Sequence, residues 1–468
     1  MRAGNPTRTS WSTRHARGLV LGVLGLVLAA SAYAQQAGEV EFSRGVGFAQ
    51  TPGQTARTLG KGLPLREGDR ITTSEGASAI VKMADGTRMT VRPNSELVLT
   101  QYQFKENAPD NGMLMQLVRG GFRAVTGLIS KGSPNAARVQ TNTATIGIRG
   151  TDFDARLCQG RECAQESAKI PDTARPNAVM ASAKIVQVQG DVFATDPQGQ
   201  RHRLADGGGV FPGELVETGA NTHVVLVFRD DSRVTLGSNT RFRLDNFVYD
   251  DKNAGEGRFL ASVLRGSVRA LTGLIAKANN RNVGFATQTA TIGIRGTGVD
   301  INCTGACAGE PPTGSDSGLT LWTWLGSIAV TPSGTTALQV LQAGQGLLIT
   351  PTQILAITNP PTNIQGPRPD SNTINIPPNL FSHDNVTDAD EGLFVYVRDG
   401  QIQVTTVSQV INASGGEAVW AGLGGQTGRP ATIPKFMDFD RIPMPNSHNP
   451  LLVSVLGEAG IRHSRQCR

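Results

Sequence analysis

The sequence predicts an all-β protein built from tandem domains, solenoid-like or sandwich-like, with short strands and tight turns. Three observations carry that prediction. The string TATIGIRGT occurs letter for letter at residues 143–151 and again at 289–297. Glycine supplies 56 of the 468 residues, while charged residues make up 18% and aromatic residues 5%, a balance that favours turns and half-buried strands over helices. Apolar side chains alternate with polar ones in short runs bounded by glycine, which is the period of a strand with one buried face.

The repetition extends well beyond the nine-residue string. Residues 117–129 answer 264–275, and the stretch from Asp85 to Val91 answers that from Asp230 to Leu236. The offset is 145 residues at Asp85 and Asp230 and 146 at Thr143 and Thr289, so one net gap separates the copies. A unit of this length reads as a whole domain, because the stacking units of solenoids repeat every 20–50 residues or so.

The first strand is expected around Val40, Phe42, Val46 and Phe48, which share one parity. A hairpin follows, with Ala79, Val81 and Met83 on one face, a turn at Asp85-Gly86, and Met89 and Val91 returning to that face. Lys82, Arg88 and Thr90 are expected to face out. The second copy changes the letters and keeps the pattern: Val224, Leu226 and Phe228, then Val234 and Leu236, with Arg233 and Thr235 outside. In the nine-residue string Ile146 and Ile148 share a parity that Phe153, Ala155 and Leu157 do not. Ile292 and Ile294 give way to Val299 and Ile301 in the same manner. A switch of parity needs an extra residue or a kink, so a bulge or corner is expected at Arg149-Gly150 and Arg295-Gly296. On this reading Gly147, Arg149, Gly150, Gly293, Arg295 and Gly296 are architectural, the arginines capping carbonyls or pairing with Asp154 and Asp300. A shorter strand-glycine-strand pattern recurs around Gly190, Gly326 and Gly400 and more loosely at Gly45, as in turns of a β coil laid one on another.

Residues 1–34 read as a signal peptide: a basic region with Arg2, Arg8, Arg14 and Arg17, an apolar run from Gly18 to Ala30, and a small-residue cleavage site at Ala32-Tyr33-Ala34. Removing those four arginines leaves 40 basic against 38 acidic residues, so the basicity of the whole chain is mostly its address. With no Lys/Arg run interleaved with aromatics, a nucleic-acid partner is not expected. No later segment has the 18 or so apolar residues of a membrane-spanning helix. The chain then divides into a first domain at 35–163, a linker at 164–183, a second domain with trailing β turns at 184–350, a Pro/Asn-rich linker at 351–382, and a β-rich C-terminal segment and tail at 383–468.

Cys158 and Cys163 follow the first nine-residue string, and Cys303 and Cys307 follow the second. Four cysteines allow three pairings, and the repeat favours Cys158 with Cys163 and Cys303 with Cys307. An exported chain oxidises such pairs more often than it loads zinc on them. Cys467 is left over and could pair between chains. The six histidines are scattered, none recurs in the other copy, and neither a phosphate-cradling loop nor a nucleophile elbow is present. Asp384, Asp388, Asp390 and Glu391 lack the spacing of a calcium loop and read as a solvated turn. No enzyme, cofactor or metal is expected. Trp322 and Trp324, two residues apart, share a strand face. They pack in the core or, if exposed, offer a platform for a partner or a sugar ring.

Gly68-Asp69 with Thr73, the Asp85 hairpin, the strand pair about Arg119-Gly120 and TIGIRGT followed by Asp152-Phe153 together resemble the FecR domain, over residues 38–160 and again over 184–350. The resemblance implies an extracytoplasmic β module, a twisted solenoid-like stack, which in iron-uptake regulators relays a signal from an outer-membrane receptor to a sigma factor. Only 34 residues precede the expected mature start, so cytoplasmic sigma-binding helices and direct sigma-factor control are not expected. The sequence therefore points to a non-enzymatic exported protein, periplasmic or secreted, that senses, scaffolds or binds in the cell envelope. Its expected partner is an envelope protein, with cell-wall glycan as the alternative if the tryptophans are exposed.

Overall fold

In the computed structural model, residues 36–437 are described apart from 133–135, 313, 315, 316, 371, 373 and 378. The expected signal peptide and Cys467 lie outside the described residues. The chain is all-β: two sheets of fifteen strands each, neither closed into a barrel, accompanied by three short α-helices among the described residues.

The two sheets have the same topology strand for strand. The second runs in spatial order from Arg201–Leu204 through Val192–Thr195, Leu215–Thr218, Arg241–Val248, Arg258–Leu271, Val283–Ala286, Ala290–Cys303, Leu319–Pro332 and Gln345–Ile349 to Ile354–Ile357. The first runs likewise from Arg57–Thr58 to Thr145–Cys158 and then changes source. Its last three places on this path are taken by Gly392–Thr405, Ala418–Gly422 and Thr427–Gly428. The C-terminal segment is therefore the closing part of the first sheet. Gly392–Thr405 lies antiparallel to Thr145–Cys158, with Cys158 opposite Gly392 and Ile148 opposite Ile402, just as Cys303 lies opposite Leu319 and Ile294 opposite Ile328. The second unit, residues 183–357, is an insertion within the first.

The reason is apolar area. Leu393, Val395, Val397, Ile402 and Val404 are buried among Ile146, Ile148, Phe153, Ala155 and Leu157 in one cluster. Each such side chain contributes about 1.5–3 kcal/mol on full burial. The second unit has its own cluster, in which Phe228, Phe247, Phe259 and Phe285 form a chain of ring contacts with centroids 4.4 to 5.8 Å apart.

The long strands bend at glycines. Gly120, Gly150 and Gly400 in the first unit, and Gly266, Gly296 and Gly326 in the second, have φ between 66° and 84°. The ladder between Thr145–Cys158 and Gly392–Thr405 is interrupted from Arg149 to Phe153, and its counterpart from Arg295 to Val299. Buried hydroxyls hold these corners. Thr126 and Thr151 exchange bonds, with Thr126 Oγ1 donating to Thr151 O and Thr151 N donating to Thr126 Oγ1, while Thr151 Oγ1 donates to Gln401 O. Thr272, Thr297 and Ser327 repeat the arrangement. Thr73, Ser95 and Gly121 form an equivalent step at the neighbouring corner, and Thr218, Thr240 and Ser267 form its copy.

Two expected faces differ. Val46 and Phe48 are exposed while Gly47 and Ala49 are buried, because the bend at Gly45 changes parity there too. Thr90 and Thr235 are buried although they lie on the outer side of their hairpins. Later chain segments cover that side: Arg92 Nη1 donates to Phe436 O at 3.1 Å, and Arg233 Nη1 to Pro369 O at 3.3 Å. The two stretches read as linkers contribute to this cover. Residues 164–183 continue the helix Glu162–Ala168 and bring in the buried Asn177, and 351–382 hold the strand Ile354–Ile357 and the buried Ile364 and Ile374.

Candidate functional site

The cysteines lie as neighbours within each copy, Cys158 Sγ 1.99 Å from Cys163 Sγ and Cys303 Sγ 2.07 Å from Cys307 Sγ. All four are buried, at the matched ends of Thr145–Cys158 and Ala290–Cys303. They staple strand ends and present no thiol.

Identical letters in the nine-residue string have different surroundings. Arg149 Nη1 donates to Asp206 O at 3.1 Å, reaching from the first unit to the second, whereas Arg295 is exposed. Of the two expected arrangements Arg149 takes the carbonyl cap, and neither arginine pairs with Asp154 or Asp300. Asp154 is held instead by Arg398 Nε at 2.7 Å, and Asp300 by the Trp324 indole N–H at 3.1 Å, with Arg269 Nε 3.9 Å away. Burial pushes the Asp154 carboxyl up to about 7 against the pull of Arg398, and shifts Asp300 upward too. Gly147 and Gly293 lie in the strands before the bend; Gly150 and Gly296 form it.

Trp322 is 5% exposed and Trp324 is half-buried, its ring 5.2 Å from the Arg368 guanidinium. The pair does not form an open aromatic platform, because Trp322 is buried and Arg368, from the segment after Ile357, stands over the Trp324 ring.

Where the units meet, Lys184 of the second places its Nζ 2.7 Å from Glu417 Oε2, and Arg429 Nη2 lies 3.2 Å from the same oxygen. All three side chains are buried, and desolvation lowers Lys184 to about 8 despite the Glu417 charge. Beside this lock lies a cleft of about 230 Å³. The first unit walls it with Gly150, Asp399, Gly400 and Gln401, the second with Asp196, His202 and Glu214. Glu214 is 4% exposed; Phe211 N donates to its Oε2 at 2.8 Å, and His202 Nε2 stands 4.0 Å from Oε1. Burial raises Glu214 to about 7 and lowers His202, although Asp399 and Asp196 favour the charged imidazole. Of these residues the sequence singled out only Gly150 as a site residue, as part of a bend, since the cleft is assembled by strands about 200 residues apart.

The far edge of the second sheet is the other distinctive surface. Among the described residues Ile354–Ile357 pairs with Gln345–Ile349 alone, and Ile354 and Leu355 are each 42% exposed. Neither this strand nor the neighbouring Gln339–Gln342 carries a charge. The corresponding edge of the first sheet, Thr427–Gly428, is covered by the chain itself: Asp384 forms a bridge with Pro430, and Asn177 donates to Ala418 O and Pro430 O.

Among the described residues no group of three or more His, Cys, Asp or Glu side chains could hold a metal ion, and no helix is long and apolar enough to cross a membrane. No curated protein matches the chain. Two crystal structures of a protein from Parabacteroides distasonis, described as a "putative anti-sigma factor", are similar at 13% identity and a TM-score of 0.24. That similarity covers 31% of this chain and 59% of theirs, so the chain spans about three fifths of the length of those proteins. The model of the family described as FecR protein matches residues 69–167 and 214–308, the heart of each structural unit. The chain thus carries two FecR domains in tandem.

Proposed function

We propose that this chain is a non-enzymatic interaction module of the cell envelope, exported by its N-terminal segment, which scaffolds or senses by accepting an extended strand of an envelope protein on the free edge Ile354–Ile357. The observation that supports this reading is the unpaired, uncharged edge itself. A sheet edge presents a row of free N–H and C=O groups, and sheet proteins ordinarily protect it with charge, proline or cover. Among the described residues the first sheet has such cover and the second does not. Backbone pairing would supply affinity, and contact with the exposed side chains of Ile354 and Leu355 selectivity. The two disulfides fit an oxidising, exported compartment. The buried Trp322 and the packed Trp324 give the glycan reading no platform.

The test is cross-linking of the tagged, exported protein in intact cells, with mass identification of what it carries, alongside a Leu355→Lys variant. A discrete protein that cross-links to the wild type and is lost with Leu355→Lys is the expected result. Recovery only with cell-wall polymer, or a partner indifferent to the substitution, would overturn the reading.

A further inference from the structure

The 145-residue offset that relates Asp85 to Asp230 also relates Arg57 to His202 and Asp69 to Glu214. The sheets place these residues equivalently. Arg57 lies opposite Ala49, which lies opposite Ile71, two residues beyond Asp69. His202 lies opposite Ala194, which lies opposite Val216, two residues beyond Glu214. In the first unit the fully buried Asp69 accepts a bond from Arg66 N at 2.9 Å and holds the Arg57 guanidinium at 2.6 Å. In the second, Glu214 keeps the matching backbone bond from Phe211 N, but an imidazole has replaced the guanidinium and stops 4.0 Å short.

The carboxyl has kept its turn and lost its cation. The cleft between the units opens beside it, and the other groups there increase the deficit. Asp196 and Asp399 line the cleft, and Gln401, 6% exposed, has an Oε1 with no hydrogen-bond donor. Arg201, the other cation on the rim, is engaged elsewhere, its guanidinium 3.8 Å from the Phe193 ring centroid and its Nε 3.9 Å from Glu217. Desolvation holds His202 toward its neutral form, so it does not supply the missing charge.

We propose that the cleft between the two units binds a small organic cation, whose guanidinium or primary ammonium group takes beside Glu214 the place that Arg57 fills beside Asp69. A charge-assisted bond to a largely buried carboxylate is the strong kind, and the first unit shows its geometry. An ammonium or guanidinium suits the cleft better than a metal ion, since its carboxylates do not converge on one point.

The probe is agmatine, which carries both cationic groups and no carboxylate, titrated calorimetrically into the mature protein at about pH 8. Binding is expected at millimolar concentration or below, and to weaken at least about tenfold in Glu214→Gln. It should weaken by a similar factor in His202→Arg, where the side chain fills the site from within. It should be roughly tenfold weaker near pH 6, where Glu214 takes up its proton in a cleft that Asp196, Asp399, Arg201 and His202 also face. A capped Gly-Arg-Gly peptide that binds as well as agmatine would identify the source as a partner's arginine; agmatine binding alone would identify a free small molecule. No heat at about 10 mM of either probe, or binding undiminished in both variants, would overturn the proposal. His202→Arg, at an exposed edge, keeps the test decisive if Glu214→Gln fails to fold.

Discussion

Single residues in this chain matter through what buries them. Glu214 holds its proton up to about pH 7 in the folded protein and loses it near 4.5 when unfolded. The folded state therefore binds more protons across that window, and stability falls as pH rises from about 4.5 to 7. Replacing Glu214 with Gln should remove this loss, so the variant gains on the wild type between pH 5 and pH 8. Urea denaturation at the two pH values checks it: an unchanged difference would mean that Glu214 titrates normally. The cysteines were legible because they recur; Glu214 and His202 were not, because their counterparts are the different letters Asp69 and Arg57.

At the scale of elements, the corners decide the fold. The parity switch placed them correctly at Arg149-Gly150 and Arg295-Gly296, because side-chain alternation is strict and a change of face leaves a trace in the letters. It could not show what lies against them. A Cβ on Gly400 would come within 2.2 Å of Gly150 O, and one on Gly326 within 2.4 Å of Gly296 O, each at positive φ. Gly400→Ala should therefore cost more than about 1 kcal/mol, since alanine is strained at this φ and the facing atom is backbone. A thermal melt that matches wild type would contradict the stacked-corner arrangement. The threonines that bolt the corners, Thr126, Thr151, Thr272 and Thr297, were visible in the repeats, but a hydroxyl's partner is fixed only when two strands meet.

For the whole molecule, the insertion makes a directional prediction. A chain ending near residue 390 loses Gly392–Thr405 and leaves the edge of Thr145–Cys158 and its apolar face open, while residues 183–357 retain every strand of the second sheet. Limited proteolysis of that truncation should leave a resistant fragment corresponding to 183–357 and degrade 36–182. Equal resistance of both parts would show that the closing strand is dispensable.

The all-β class, the two copies, the hairpins, the corners and the cysteine pairs are legible in the letters alone, because each rests on alternation, glycine placement or repetition along the chain. Which strand closes the first sheet, what covers the outer hairpin faces and which residues meet in the cleft depend on contacts between distant segments. Gly392–Thr405 has seven apolar residues to the eight of Leu319–Pro332, and nothing local says that one closes the sheet just before it while the other returns across more than 200 residues. That choice is made by the open edge of Thr145–Cys158, whose backbone and apolar face are satisfied only when the distant strand arrives.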